Sequence, residues 1–419
     1  MTRSPLIVIL TTLFIDLIGF GIVIPVLPFY AEGTKFNATP RMVGLLFASY
    51  SIMQLIFAPI LGGLSDKYGR RPVLLISIIG TGIGFLVLGF AQTLPMLFAG
   101  RILDGITGGN ISTAQAYVAD VTSKEDRATG MGLIGAAFGV GFVLGPMIGG
   151  ILSRWGIEVP FLFAAALAFA NAILLYFRLP ETVTAQRPVE NRAAQGRGFT
   201  QLINALKLPR LPLVLAIYFL SIVAFSMLVT GFSLYTMFRF GYDAQHTGYL
   251  FGYVGIIAVI IQGGLIGRLV KRFGDLPLIV AGCLCMAVSL FAVPFVGPAV
   301  GGLAGILIGG GILSIGNSLA TPVLTSVASK TAGPEQQGIL MGVTQSTASL
   351  ARAVGPALTA ILIASPIAYM GADGQPHYMS DFSLFVTFWT AAAIMVVAFV
   401  LALYFSRIKS EKQQVARQA

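Results

Sequence analysis

Three ionisable side chains, Asp16, Arg101 and Asp104, lie well inside long apolar stretches of this sequence. A helix rises about 1.5 Å per residue, so Asp16, about ten residues into its stretch, would lie about 15 Å deep in a membrane. Arg101 precedes Asp104 by three residues, and the two therefore share one helix face. Because a charge in hydrocarbon costs at least about 2.5 kcal/mol, such residues are functional candidates.

The chemistry that these residues offer is proton transfer. A carboxyl group that changes neighbours between two conformations takes up a proton in one and releases it in the other. A membrane potential of roughly 150 mV supplies about 3.5 kcal/mol per proton, which is enough to move a solute against its gradient. A static ion pair that joins two apolar segments is the structural alternative, and it predicts that loss of Asp104 lowers stability before it affects coupling. Arg352 is a further charge inside an apolar stretch.

The elements that carry these charges are predicted to be membrane-spanning helices. The chain has 419 residues, 56% of them hydrophobic and 10% charged, and its mean hydropathy is +0.87. Soluble domains carry about 25% charged residues. Stretches long enough to cross a hydrocarbon core of about 30 Å must be helical, because lipid cannot satisfy open backbone groups. The predicted spans are 6–29, 42–64, 72–91, 94–119, 129–152, 159–177, 211–238, 247–270, 276–295, 300–327, 337–364 and 382–405.

The longest polar stretch divides the chain into two halves of six spans each. It predicts an N-terminal bundle over 1–179, a cytoplasmic linker over 180–210, a C-terminal bundle over 211–406 and a cytoplasmic tail over 407–419. Most of the 26 lysines and arginines fall in loops on one side, and the positive-inside rule places that side, with both termini, in the cytoplasm. Because these charges are scattered over short loops, no nucleic-acid partner is expected.

Signals for other chemistries are missing from the sequence. No Gly-Lys dipeptide occurs, which excludes a phosphate-binding loop for ATP. His246 and His377 fall in predicted outer loops, and no nucleophile–base pair is visible. We therefore expect no enzyme activity, no catalytic residue, no metal and no cofactor. Cys283 and Cys285, two residues apart in one span, are expected to be free thiols.

Residues 62–71, GGLSDKYGRR, form a short charged turn between two apolar segments. Its glycines allow a sharp bend, and its charged side chains must lie at a membrane surface. The spacing resembles the loop between the second and third helices of major facilitator superfamily transporters. An ordinary positive-inside loop that only fixes topology is the alternative. By the resemblance, a cytoplasmic gate is expected from Gly62, Asp66, Gly69, Arg70, Arg71, Asp120 and Arg127.

The fifth predicted span contains Gly141, Gly145, Pro146, Gly149 and Gly150. Small residues at this density let helices pack closely, and a proline frees a backbone carbonyl for a bend. Close packing alone would explain the pattern. It also resembles the fifth-helix motif of antiporters of the superfamily, a motif that its symporters usually lack.

Segments in both halves, 15–28, 54–59, 105–108 and 338–342, make the chain similar to tetracycline-efflux proteins, which are drug/proton antiporters of this superfamily. The resemblance implies an all-α integral membrane fold, with twelve transmembrane helices in two pseudo-symmetric six-helix bundles. Spans 1, 4, 7 and 10 of that fold line a central cavity, which would bring Asp16, Arg101 and Asp104 together. Aromatic and amide groups expected to line the substrate cavity are Gln54, Asn110, Gln115, Phe138, Phe142, Tyr235, Asn317 and Gln345.

The expected function is proton-coupled efflux of a small amphipathic organic compound or drug by alternating access. The expected setting is the lipid of a bacterial inner membrane, with the protein as a monomer. A proton-coupled symporter for a nutrient such as a sugar or organic acid is the alternative. The resembling exporters place an acid in span 3, where Gly84 stands here, and another in span 9, where Cys285 stands. We therefore expect weak or absent tetracycline transport and a better fit to neutral, zwitterionic or anionic amphiphiles.

Overall fold

The chain folds into two compact units that consist almost entirely of helices. A computed structural model describes residues 3–122, 127–182, 210–330, 337–364, 369–370, 376–377 and 379–418. The first unit comprises Met1–Arg187, Thr230–Gly255 and Thr359–Ser380, and the second comprises Pro188–Val229, Ile256–Leu358 and Asp381–Ala419. Most of the predicted linker lies outside the described residues, so the predicted domain boundaries stay a prediction.

The helices of the described residues follow the predicted spans closely. They are α1 (Arg3–Glu32), α2 (Pro40–Tyr68), α3 (Arg70–Gly89), α4 (Leu94–Thr107), α5 (Asn110–Val121), α6 (Arg127–Leu152), α7 (Val159–Arg178), α8 (Leu211–Phe240), α9 (Ala244–Ile260), α10 (Ile266–Phe273), α11 (Asp275–Ala292), α12 (Gly302–Lys330), α13 (Gln337–Leu362) and α14 (Asp381–Gln418). A π-helical segment, Ile261–Leu265, joins α9 to α10. Two short strands, β1 (Tyr369–Met370) and β2 (Pro376–His377), pair antiparallel.

Nine helical stretches within the described residues are long and apolar enough to cross a membrane. Helices α9 and α10, with the π segment between them, make one such stretch, Ala244–Phe273. The last helix continues to Gln418, through the residues predicted as a tail.

The fourth predicted span is not one helix. Helix α4 ends at Thr107 and α5 begins at Asn110, with Gly108 and Gly109 between them. The prediction of a continuous helix over 94–119 is wrong at this point. Glycine weakens a helix interior by about 1 kcal/mol relative to alanine, so two in succession favour an interruption when other groups stabilise it.

Glycines set how closely the helices of the first unit pack. A Cβ atom added to Gly145 of α6 would lie 2.6 Å from the Cα atom of Gly21 of α1. A Cβ atom added to Gly105 of α4 would lie 2.5 Å from the carbonyl oxygen of Tyr50 of α2. Backbones can approach this closely only without side chains. The charged residues of α1 and α4 are therefore held on closely packed helices.

In the second unit, α11 packs against both α12 and α14. A Cβ atom added to Gly282 of α11 would lie 2.7 Å from the carbonyl oxygen of Gly316 of α12. Cys283 is buried, Cys285 is half-buried, and both are free thiols, as predicted.

Candidate functional site

Arg101 and Asp104 form a buried ion pair on α4. Arg101 Nη1 donates to Asp104 Oδ2 at 2.9 Å, and the two residues are 0% and 4% exposed. The guanidinium carbon of Arg101 lies 4.3 Å from the ring centre of Tyr50 on α2, which is a cation–π contact. Nε and Nη2 of Arg101 are buried and have no hydrogen-bond partner among the described residues. The pair is thus fixed by the helix that carries both residues and by the ring of Tyr50.

Asp16 on α1 has a different environment. Asn110 Nδ2, at the beginning of α5, donates to Asp16 Oδ2 at 3.3 Å. Asp16 is also partly exposed, unlike Arg101 and Asp104. The break in span 4 places Asn110 at a helix N-terminus, where the helix dipole favours a nearby negative charge. Of the predicted cluster, Arg101 and Asp104 are thus in contact, whereas Asp16 accepts its hydrogen bond from Asn110 instead.

Gln54 of α2 stabilises the break between α4 and α5. Its Nε2 donates to the carbonyl oxygen of Gly108 at 2.9 Å and lies 2.9 Å from the hydroxyl oxygen of Tyr50. A carbonyl group at a helix end needs such a partner, because the helix no longer supplies one. Gln54 was predicted to line the substrate cavity, and it is 6% exposed.

The sequence did not lead us to predict two hydroxyl groups that lie beside the break. Thr81 of α3 and Thr107 of α4 have their side-chain oxygens 3.1 Å apart. Tyr50 was missed as well, although its position four residues before Gln54 puts both on one face of α2. That spacing was the available signal. Nothing local in the sequence marks Thr81 as a neighbour of α4.

Three of the predicted gate residues lie in contact at one end of the first unit. Arg70 Nη2 lies 2.5 Å from Asp66 Oδ1, and Arg70 Nε lies 3.2 Å from Asp120 Oδ2. Arg70 Nη1 also donates to Ser65 Oγ at 2.6 Å, and Arg70 is 6% exposed. The Arg127 side chain lies outside the described part of the structure. The network thus joins the ends of α2 and α5 to the start of α3.

Gly69 forms the bend between α2 and α3. Its φ of 104° is in the region that favours glycine. Gly62 is half-buried near Ser112 of α5, where an added Cβ atom would lie 3.5 Å from the Ser112 hydroxyl oxygen.

Glu181 and Thr182, which follow α7, extend this network and were not predicted. The Glu181 carboxylate accepts from the backbone N–H groups of Arg70 at 2.9 Å and Arg71 at 3.0 Å. Thr182 Oγ1 donates to Asp120 Oδ2 at 3.2 Å. Glu181 thereby satisfies orphan donors at the start of α3 and complements its dipole. The sequence signal for Glu181 was a carboxylate that follows a span predicted to end on the same side of the membrane as the charged turn 62–71.

The glycine-rich face of α6 contacts two helices. A Cβ atom added to Gly141 would lie 2.7 Å from the Leu17 Cβ atom, and one added to Gly149 would lie 2.7 Å from the Ile22 carbonyl oxygen, both on α1. A Cβ atom added to Gly150 would lie 3.0 Å from the Gly248 Cα atom on α9. Pro146 lies inside α6. This face is therefore tightly packed within the first unit.

The remaining predicted cavity residues have varied surroundings. Tyr235 is fully buried and stacks on Phe232, with ring centres 5.9 Å apart. Thr321 Oγ1 donates to Asn317 Oδ1 at 2.9 Å. The Phe138 side chain lies outside the described residues. Half-buried positions are occupied by Gln115, Phe142, Asn317 and Gln345, of which the last two belong to the second unit.

Gly84 of α3, a position where the sequence resemblance implies an acid, lies directly against Asp104. A Cβ atom added to Gly84 would lie 3.2 Å from the Asp104 Cβ atom and 3.2 Å from the Gly100 carbonyl oxygen. A side chain at position 84 would therefore require α4 to shift by a few tenths of an ångström. Among the described residues, no group of three or more His, Cys, Asp and Glu side chains could hold a metal ion.

Comparison with known proteins identifies the family to which this chain belongs. Residues 9–356 match the family model of the Major Facilitator Superfamily. The chain belongs to the major facilitator superfamily. It is 31% identical over 425 residues to the tetracycline resistance protein, class H, of Pasteurella multocida, covering 99% of each chain. It is 29% identical over 371 residues to multidrug resistance protein 2 of Bacillus subtilis, covering 88% of this chain and 90% of that one.

A solved transporter of the superfamily has the same fold. The crystal structure of the human organic anion transporter MFSD10 is 25% identical in sequence, with a TM-score of 0.67, and the match covers 96% of this chain and 99% of that one. The predicted fold class, twelve transmembrane helices of the major facilitator type, is confirmed. The predicted family is confirmed as well.

Proposed function

We propose that this protein is a proton-coupled exporter of small amphipathic organic compounds that works by alternating access. The observation that carries the proposal is the similarity, over nearly the whole chain, to a tetracycline resistance protein. The match to a multidrug resistance protein supports it too. These relatives favour efflux over the nutrient symporter that the sequence left as the alternative. A transporter of this family is expected to need no catalytic residue or cofactor.

Asp16 is the proton carrier in this proposal, and Asp104 is the structural carboxylate. Asp104 has a fixed cationic partner at 2.9 Å, whereas Asp16 accepts a 3.3 Å hydrogen bond from a neutral amide. Asp16 is also the more accessible of the two. A carboxylate that is accessible and free of a permanent counter-ion can exchange a proton when its surroundings change. The Arg101–Asp104 pair, with Arg101 against the ring of Tyr50, then holds α4 against α2.

The network of Asp66, Arg70 and Asp120 serves as the cytoplasmic gate in this proposal. Its contacts link α2, α3 and α5, so these three helices move as one rigid body for as long as the contacts hold. The glycine-rich face of α6 lets helices slide and tilt at close range. We place both termini in the cytoplasm, because the charged loops follow the positive-inside rule. We also propose that the protein is a monomer in a bacterial inner membrane, and its similarity to bacterial resistance proteins supports the bacterial setting.

The substrate is proposed to be neutral, zwitterionic or anionic rather than cationic. Arg101 neutralises the buried charge of Asp104, and α3 offers Gly84 in place of an acid. The related human protein whose structure is known is an organic anion transporter, which supports this direction. Half-buried amide and aromatic side chains of the predicted cavity, such as Gln115 and Phe142, suit a bulky organic solute.

Transport by inverted membrane vesicles tests the proposal. With an acidic lumen, an antiporter moves protons out and accumulates a fluorescent amphiphile inside, whereas a symporter depletes it from the lumen. We expect accumulation that collapses when the proton gradient is dissipated. Asp16→Asn should abolish it, and Glu158→Gln, which neutralises an exposed acid outside the spans, should not. Depletion under the same gradient would establish the symporter instead.

A further inference from the structure

A cavity of about 340 Å³ lies at the surface of the first unit, where α1 and α3 begin and α7 ends. This volume falls in the lower range of small-molecule sites. The cavity lies at the same end of the first unit as the charged turn 62–71, away from Asp16. Its lining residues are Pro5, Arg71, Tyr176, Phe177, Arg178, Leu179 and Pro180.

Two arginines give this cavity a positive charge. Arg71 donates to the carbonyl oxygen of Tyr176, and its guanidinium carbon lies 5.2 Å from the Tyr176 ring centre. These contacts hold the Arg71 side chain at the cavity wall. Arg178 is exposed, and no acidic side chain among the described residues pairs with it. Glu181 is a nearby carboxylate, and it is engaged by backbone N–H groups at the start of α3.

Apolar side chains continue from the cavity along the exposed surface of α7. Phe177 is 76% exposed, Tyr176 is 53% exposed, and Ile173, one turn away, is 59% exposed. The rings of Tyr176 and Phe177 meet edge to face, with centres 5.1 Å apart. Exposed aromatic rings at the end of a spanning helix typically lie at the level of lipid headgroups. The cavity therefore joins a cationic wall to a surface that acyl chains would cover.

We propose that this cavity binds an anionic glycerophospholipid, with its phosphate on Arg71 and Arg178 and its acyl chains along Phe177 and Ile173. Guanidinium groups bind phosphate oxygens through paired, charge-assisted hydrogen bonds. Basic pockets between spanning helices on the cytoplasmic side suit anionic headgroups. A soluble phosphate ester would offer the same anionic group but nothing for the exposed aromatic face. The continuity of the cavity with that face favours the lipid.

Lipid titration of the purified full-length protein, followed by native mass spectrometry, tests this site. The ligands are phosphatidylglycerol, phosphatidylcholine with matched chains, and glycerol 3-phosphate. The wild-type protein should bind phosphatidylglycerol at least about fivefold more tightly than phosphatidylcholine. Arg178→Gln should weaken phosphatidylglycerol binding about fivefold, the effect of one interfacial arginine, and Arg178→Lys should largely retain it. The double variant Arg71→Gln/Arg178→Gln should weaken binding about 25-fold if the two arginines act independently.

Arg272 provides a matched control. It is exposed, lies on the same predicted side of the membrane, and its guanidinium carbon is 5.4 Å from the ring centre of Phe273, but it does not line the cavity. Arg272→Gln should leave phosphatidylglycerol binding unchanged. If Arg178→Gln and Arg272→Gln weaken phosphatidylglycerol binding equally, the binding depends on diffuse surface charge and the proposed site is wrong. Binding of glycerol 3-phosphate as tight as that of the lipid would overturn the lipid as its ligand. Equal affinity of the wild-type protein for phosphatidylglycerol and phosphatidylcholine would overturn the role of charge, and this result does not depend on the folding of any variant.

Discussion

Asp104→Asn should mainly lower the stability of the protein, whereas Asp16→Asn should mainly abolish proton coupling. Asp104→Asn leaves the charge of Arg101, which is 0% exposed, without its counter-ion. At the observed 2.9 Å, the attraction between Arg101 Nη1 and Asp104 Oδ2 is about 6 kcal/mol at an effective dielectric constant of about 20. Removing one partner of a buried pair typically costs about 3–5 kcal/mol. We expect Asp104→Asn to lower the free energy of unfolding by about that amount.

Asp16→Asn should cost far less. It weakens a hydrogen bond from Asn110 that is 3.3 Å long, and such a bond contributes about 1 kcal/mol. Removing a charge from the membrane interior offsets part of that loss. The Asp16→Asn protein should therefore fold and bind substrate but show no proton-driven transport.

Thermal unfolding in detergent, measured alongside transport, separates these outcomes. The double variant Arg101→Gln/Asp104→Asn should regain part of the stability lost in Asp104→Asn, because it removes the uncompensated charge. If Asp104→Asn proves as stable as Asp16→Asn, the assignment of Asp104 as the structural carboxylate is refuted. If Asp16→Asn retains full pH-driven transport, Asp16 is not the proton carrier.

Further predictions concern packing, the gate and the substrate. Gly145→Ala should destabilise the protein by about 1–3 kcal/mol, because the new Cβ atom would lie 2.6 Å from Gly21. Gly139→Ala in the same helix has no atom within 4 Å of the new Cβ and should be neutral or stabilising by up to about 1 kcal/mol; equal thermal stability of the two variants would contradict this packing. Asp66→Asn should fold normally but export almost nothing in vesicles, and a normal rate would reject its gating role. Expression in a drug-sensitive host should leave the inhibitory concentration of tetracycline nearly unchanged, and a large rise that Asp16→Asn removes would show that the expected exclusion is wrong.

The sequence was informative wherever a pattern was local. Spans of about 20 apolar residues predicted membrane helices, and the family comparison confirmed the twelve-helix fold. The three-residue spacing of Arg101 and Asp104 correctly placed them on one face of a helix, and the structure shows them in contact. The charged turn likewise placed Asp66 beside Arg70.

Features that depend on distant partners were not predictable in this way. The break at Gly108 is satisfied by Gln54, which is 54 residues away. Glu181 caps a helix that begins 111 residues before it. Each contact requires two helices to pack in one register, and the apolar periodicity of a single helix does not specify that register. The contact between Asp16 and Asn110 was not predicted, because the family resemblance grouped Asp16 with Arg101 and Asp104 and named Asn110 only as a cavity residue.

Proton release upon substrate binding tests the central claim most directly. Purified protein in weakly buffered detergent solution is mixed with a panel of neutral, zwitterionic and anionic amphiphiles, and the pH is followed with an indicator dye. The account predicts that a transported compound displaces protons from the wild-type protein and that Asp16→Asn binds the same compound without releasing any. Binding without proton release by the wild-type protein, or equal release by Asp16→Asn, would contradict proton-coupled exchange through Asp16.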